Sequence, residues 1–163
     1  MSGYVYEMSA AFAGMLADTN RQKHVKTLPS GSATQLRFGI VVHELAGKAV
    51  LPSVASSVPA GITVHDHIDA VKGGYDQYDA VNVLDSGTIW ARVTNAGTVT
   101  KGGPVSYASD GTVSDGGANL FPNALFESGA ISMGGGFDET PVVLAQIRLG
   151  HPLATTTVVV EEP

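Results

Sequence analysis

The sequence predicts an all-β protein: a single β-barrel or jelly-roll-like sandwich domain with extended N- and C-terminal arms. Three observations carry that prediction. Twenty glycines and eight prolines punctuate the chain while only 15% of its residues are charged, the texture of short strands joined by tight turns. Several segments alternate apolar and polar residues with the period of two that a half-buried strand needs. No interior segment carries an apolar stripe of ordinary helical length. With 163 residues the chain is expected to form one domain and to bury roughly 70% of its unfolded surface. Residues 1–35 read as an N-terminal arm and loop, 36–150 as the β domain, and 151–163 as a β-branched tail.

Met8 to Ala17 is apolar and rich in small residues. As a helix it would align Phe12, Met15 and Leu16 on one stripe at i, i+3 and i+4. Gly14 and the shortness of the run weaken that reading, and an extended arm, or a helix formed only against a partner, fits equally well. Thr27 to Thr34 reads as a loop. Leu36–Glu44 reads as a strand with Phe38, Ile40 and Val42 inward and Arg37, Gly39, Val41 and His43 outward. Ala49-Val50-Leu51 is a short strand ending at Pro52, Ser53–Gly61 a small-residue connector, and Ile62–Ile68 a further alternating strand. Asp79–Leu84 and Thr88–Val93 read as the arms of a hairpin whose connection, Asp85-Ser86-Gly87, supplies a glycine for a bulged turn. In the second arm Ile89, Ala91 and Val93 oppose Trp90 and Arg92, with Trp90 assigned to a second core face in preference to an interface.

Gly102–Tyr107 forms a third strand, followed by a turn at Ser109–Thr112. Asn119–Ser128 is ambiguous, and Gly134-Gly135-Gly136 is a glycine-rich loop before a last strand that sets Val143, Ala145, Ile147 and Leu149 on one face. Thr155–Val160 is an unbroken β-branched run closed by Glu161-Glu162-Pro163. Such a run suits a strand and would invite aggregation if left bare, so it is expected to pair, within the domain or by addition to a neighbouring subunit.

The order of these segments resembles a known family. "YDAVNVLDSGTIWARV" (residues 78–93) followed by "VTKGGPVSY" (residues 99–107) is similar to the structural cement, or head-decoration, proteins of tailed bacteriophages, which show a "G.PVNVL..G.IWV.V" segment and then "V..GDPVY". Ala13–Asp18 matches an upstream "GQLAD", and Phe38–Val42 and Val142–Leu149 match further strands. The resemblance spans roughly residues 8–150; Gly103 stands where the family commonly carries Asp. It implies a protein on the outer surface of an icosahedral head that bridges major capsid protein subunits and reinforces the shell. It also implies a homo-oligomer, with a trimer favoured over a dimer, made in the host cytoplasm. The candidate interface residues are Phe12, Met15 and Leu16 in the N-terminal arm and Thr157, Val158, Val159 and Val160 in the tail.

The chemistry legible in the residues is sparse. A net charge of −6 argues against a nucleic-acid partner, and the only local basic excess is Arg21, Lys23, His24 and Lys26. No apolar run approaches the roughly 18 residues of a membrane span, and no secretory signal is read. There is no cysteine, so no disulfide or thiolate metal site. His65-Asp66-His67 on a strand would turn both imidazoles to one side, as a metal-dependent cupin-type enzyme requires. No Glu follows, Asp69 and His151 are the only substitutes, and a solvated strand face is the favoured reading. Ala130–Gly134 resembles a nucleophile elbow only in its small residues. Asp76 with Asp79, and Asp138 with Glu139, read as turn carboxylates. The chain is therefore expected to be a binding and assembly protein without catalytic residues, metal or cofactor. A carbohydrate-binding jelly-roll module of a virion is the alternative from another class.

Overall fold

A computed structural model describes residues 11–18, 23–94, 98–133 and 142–150. Among these residues it is all-β. The strands in chain order are β1 (His24–Pro29), β2 (Leu36–Arg37), β3 (Val41–Leu45), β4 (Lys48–Val50), β5 (Val58–Thr63) and β6 (Gly74–Tyr75). They continue with β7 (Ala80–Arg92), β8 (Pro104–Tyr107), β9 (Val113–Ser114), β10 (Leu120–Phe126), β11 (Ile131–Met133) and β12 (Val142–Leu149). One large antiparallel sheet runs β4-β3-β5-β7-β12-β10-β8-β9, with β1 added to β7 and β11 to β12, while β2 and β6 pair separately. Of the two architectures open from the sequence, the protein adopts the sandwich-like one; the sheet does not close into a barrel.

β7 is the axis of this arrangement, and it corrects one expectation. Asp79–Val93 is not a hairpin. Asp85-Ser86-Gly87 lies inside a single strand of 13 residues. The first part of that strand pairs with β1 on one side and β5 on the other, and the part from Gly87 to Arg92 pairs with β12. Between the pairs His24↔Ser86 and Val25↔Leu84 the register shifts, so Asp85 is an extra residue on β7, a β-bulge. The extra residue reverses the side-chain alternation. Val81, Val83 and Trp90 enter one core cluster, whereas Leu84, Ile89, Ala91 and Val93 enter the other. Even-numbered Leu84 and odd-numbered Ile89 share a face only because one residue has been inserted between them. Gly87 holds φ +130°, a region that disfavours side chains, and the His24 Nδ1 to Asp85 Oδ1 contact of 2.8 Å anchors the bulge to β1.

The two cores follow from this strand. Leu36, Phe38, Ile40, Val42, Tyr75 and Trp90 dominate the first; Val41, Ile62, Phe126, Ala145, Ile147 and Leu149 dominate the second. Trp90 is buried, as assigned. On β12 the expected face holds for Ala145, Ile147 and Leu149, while Val143 is exposed and Leu144 joins the first core.

Three further expectations shift. Thr27–Pro29, read as loop, belongs to β1, an edge strand whose His24 and Lys26 mask its β character. Leu36–Glu44 is interrupted at Gly39, with φ +72°, so Val41 and His43 are buried rather than outward. The strand read at Ile62–Ile68 starts earlier and ends earlier, at Val58–Thr63. Gly61 explains the earlier start: a Cβ there would lie 2.2 Å from the Leu84 carbonyl oxygen and 2.7 Å from Val83 Cγ1, so only glycine lets β5 approach β7. Gly61→Ala is accordingly expected to lower unfolding stability by about 3 kcal/mol. Gly116→Ala, where nothing lies within 4 Å, should change it by less than about 0.5 kcal/mol. Urea unfolding of both variants checks the pair.

Candidate functional site

The N-terminal segment lies against the body rather than apart from it. Gly14 N–H donates to the Trp90 carbonyl at 2.8 Å, Trp90 N–H to Met15 O at 3.0 Å, and Ala17 N–H to Thr88 O at 2.9 Å. Leu16 bridges Ile89 in antiparallel sense. Residues 14–17 thus add to the edge of β7 that β12 leaves open. The helical stripe is not formed; Phe12–Met15 makes a tight turn, with Met15 N–H donating to Phe12 O at 3.1 Å, before Leu16 bridges to β7. Gly14, at φ +77°, shows why. A Cβ there would sit 2.6 Å from His65 N, whose N–H donates to Gly14 O at 2.9 Å. Ala11, Ala13 and Met15 pack on the first core, Leu16 packs on the second, and Phe12 is 38% exposed.

This docking brings two separate sequence signals together. Phe12, Gly14, Met15 and Leu16 line a shallow cleft of about 240 Å³ with Val64, His65 and His67. The Phe12 ring meets the His65 imidazole edge-on at 4.5 Å, Phe38 lies 4.7 Å from it on another side, and His67 is 5.2 Å away. His65 Nδ1 is buried without a hydrogen-bond partner. Burial holds the His65 pKa below its usual value, the neighbouring His67 adds to that effect, and Asp66 opposes it. His65-Asp66-His67 lies beyond the end of β5, not on a strand. Asp66 is turned into a local turn, accepting the Ile68 N–H at 2.9 Å. Asp69, one proposed substitute ligand, is ion-paired to Lys72 at 3.0 Å, and the other, His151, is outside the described residues. Among the described residues no group of three or more His, Asp or Glu side chains converges as metal ligands would.

The loop from Asp66 to Asp79, which carries the short strand β6, is the other distinctive surface. Lys72 Nζ sits 3.0 Å from Asp69, 3.5 Å from Asp76 and 3.3 Å from Asp79. Those carboxylates raise the Lys72 pKa, through Asp69 first and then Asp79. Asp79 also accepts the Asp76 N–H at 2.8 Å, which lowers its own pKa; the turn role expected of that pair is what they perform. Gln35 Nε2 donates to Lys72 O at 3.0 Å and to Asp76 Oδ1 at 3.2 Å. Beneath, Tyr75 is buried and its hydroxyl donates to Val64 O at 2.6 Å. Ile68, Val71 and Tyr78 project outward, 86%, 87% and 77% exposed. Tyr78 holds φ +72°, a conformation costing a bulky residue about 1–3 kcal/mol. Its N–H donates to Ser30 O at 3.0 Å, and the Ser30 N–H donates to Asp79 O at 2.8 Å, so the strained turn is pinned from both ends. The sequence signal was the Asp69–Lys72–Asp76 spacing beside isolated apolar residues.

Thr157, Val158, Val159 and Val160 lie outside the described residues. Ile131–Met133 is strand β11, with Ser132 opposite Val143, so the described part of Ala130–Gly134 lacks the strand–turn–helix context of a nucleophile elbow.

Two comparisons bear on this surface. The family model described as structural cement protein (E217 gp24/Pam3 gp6) matches residues 1–150. A solved chain from "The capsid of Myoviridae Phage XM1" is similar in fold, with a TM-score of 0.70 at 18% identity, covering 94% of this chain and 98% of that one. No curated protein matches.

His65 gives a pH-dependent prediction. In the unfolded chain the imidazole titrates near its ordinary 6.5, and in the fold it titrates lower. The unfolded state therefore binds more protons within that window, and stability present above about pH 6.5 is lost as pH falls through it. Burial lowers the His43 pKa as well, with the Ser57 hydrogen bond opposing, so both histidines contribute in the same direction. His65→Phe keeps the ring contacts and should reduce, without abolishing, the fall in melting temperature between about pH 7.5 and pH 5.5. Melting curves across that range check it; a fall as large as in the parent protein contradicts it.

Proposed function

Because this chain belongs to the structural cement protein family, we propose that it binds the outer surface of a phage head and stabilises contacts between major capsid protein subunits. Family membership implies a structural, non-enzymatic role in the virion and association with capsid proteins. The single observation that carries the finer reading is the family match over residues 1–150, which includes the whole β domain and the docked N-terminal segment.

A mechanism consistent with that reading follows from the architecture. The two cores and the pinned 66–79 loop make a stiff body, so surface placed against a capsid subunit loses little freedom on binding. Apolar surface buried at each contact contributes about 25 cal/mol per Å², and repetition over a symmetric shell turns modest contacts into avidity. In this reading the protein acts as a homo-oligomer, a trimer in preference to a dimer. Phe12, Met15 and Leu16 contribute through the cleft they share with His65 and His67. Phe12 is the one presented to solvent, whereas Met15 and Leu16 mainly fasten the segment to the body. Thr157, Val158, Val159 and Val160 pair with a neighbouring subunit by strand addition, and Glu161-Glu162-Pro163 stops further growth.

Incubating the protein with undecorated heads should give saturable, symmetric binding and raise the heat resistance of the heads; absence of binding rejects the reading. Truncation after Leu153 is expected to weaken head binding and self-association more than it lowers the melting temperature of the domain. Equal loss of both would show the tail to be part of the fold instead.

A further inference from the structure

We propose that the 66–79 loop is a preformed docking element, and that Ile68, Val71 and Tyr78 enter an apolar depression rimmed by lysine or arginine on the capsid-shell protein. This inference rests on the reading of the chain as a capsid-binding protein. Isolated exposed apolar residues are ordinary on a protein surface. Three large ones within one short loop, each more than three-quarters exposed, are a concentration. The loop that carries them is also held by every means available to it. Lys72 bridges three carboxylates, Gln35 ties two of its turns, Tyr75 roots it in the first core, and the Ser30 hydrogen bonds maintain Tyr78 at positive φ. An exposed tyrosine whose backbone is held at positive φ by hydrogen bonding to Ser30 has the character of a binding anchor: large area, few rotatable bonds, little entropy left to lose.

Charge selects the occupant. Asp66, Asp69, Asp76 and Asp79 stand against Lys72 alone, a net charge of −3 within a chain of net charge −6. A second copy meeting this loop across a two-fold axis would set like charges together. Two of the four residues of the chain's local basic excess are already engaged within the fold, Lys26 with Glu44 at 3.1 Å and His24 with Asp85 at 2.8 Å. A different protein, with a basic rim around an apolar pocket, complements both the net negative charge of this segment and its three exposed apolar side chains.

The test uses undecorated heads and the full chain in three forms: unchanged, Ile68→Ser/Val71→Ser, and Tyr78→Gly. The substituted side chains are solvated, and glycine relieves the positive φ at position 78, so melting temperatures should hold or rise. Each variant is expected to bind heads about tenfold more weakly or worse, and binding of the unchanged chain should fall as salt is raised. If the unchanged chain does not bind heads, the reading of the protein itself fails. If it binds and both variants bind equally well, only the assignment of this loop is overturned. The assignment is overturned too if the variants lose self-association while keeping head affinity, if binding falls only in step with melting temperature, or if binding is insensitive to salt.

Discussion

The bulge at Asp85 in β7 is the constraint on which the rest of the molecule depends. Its strand serves both cores by alternation, and the one inserted residue switches which parity faces which core, so that Val83 and Trp90 share the first and Leu84 and Ile89 the second. Were the same residues paired in regular alternation with no bulge, a strand delivering Val81 and Val83 to the first core would turn Trp90 away from it. Every large element is then placed relative to β7. β1 and β5 flank its first half, β12 its second, and the N-terminal segment takes the remaining edge. The glycines that matter are those where backbones meet at this axis: Gly61 against Leu84, Gly39 against Trp90 and Gly14, and Gly14 against His65.

Much of this was legible from residue alternation. The two halves of β7, the strands β8 and β12, and the turn at Ser109–Thr112 stand where the pattern places them. What local pattern could not distinguish was a glycine that turns a hairpin from one that lets a continuous strand bulge, because both need the same backbone freedom at Gly87. β5 was misplaced for a related reason. Its Val58-Pro59-Ala60-Gly61 start looks like a connector, and the need for small side chains there comes from β7, distant in sequence. β1 was missed because an exposed, basic edge strand carries little hydrophobic signal.

The candidate surface divides in the same way. Phe12, Met15 and Leu16 stood out by composition and His65-Asp66-His67 by spacing, yet nothing local joins them. Their meeting is a product of the ladder between the N-terminal segment and β7. The Lys72 network is assembled from residues near in sequence, but its effect, to hold Ile68, Val71 and Tyr78 outward, depends on Ser30 and Gln35 from another part of the chain. Charge and hydropathy averaged along the sequence hide such a surface, because its acids and its apolar residues cancel.

The N-terminal segment also does something for the central strand that no side chain can. By hydrogen bonding to Thr88 and Trp90 it occupies the backbone donors and acceptors that would otherwise line a bare rim. An unsealed rim of that kind is a template for pairing with other strands and for runaway polymerisation. Residues 14–17 act as a selvedge, finishing the weave so that this stretch of the central strand has no main-chain rim to offer another chain.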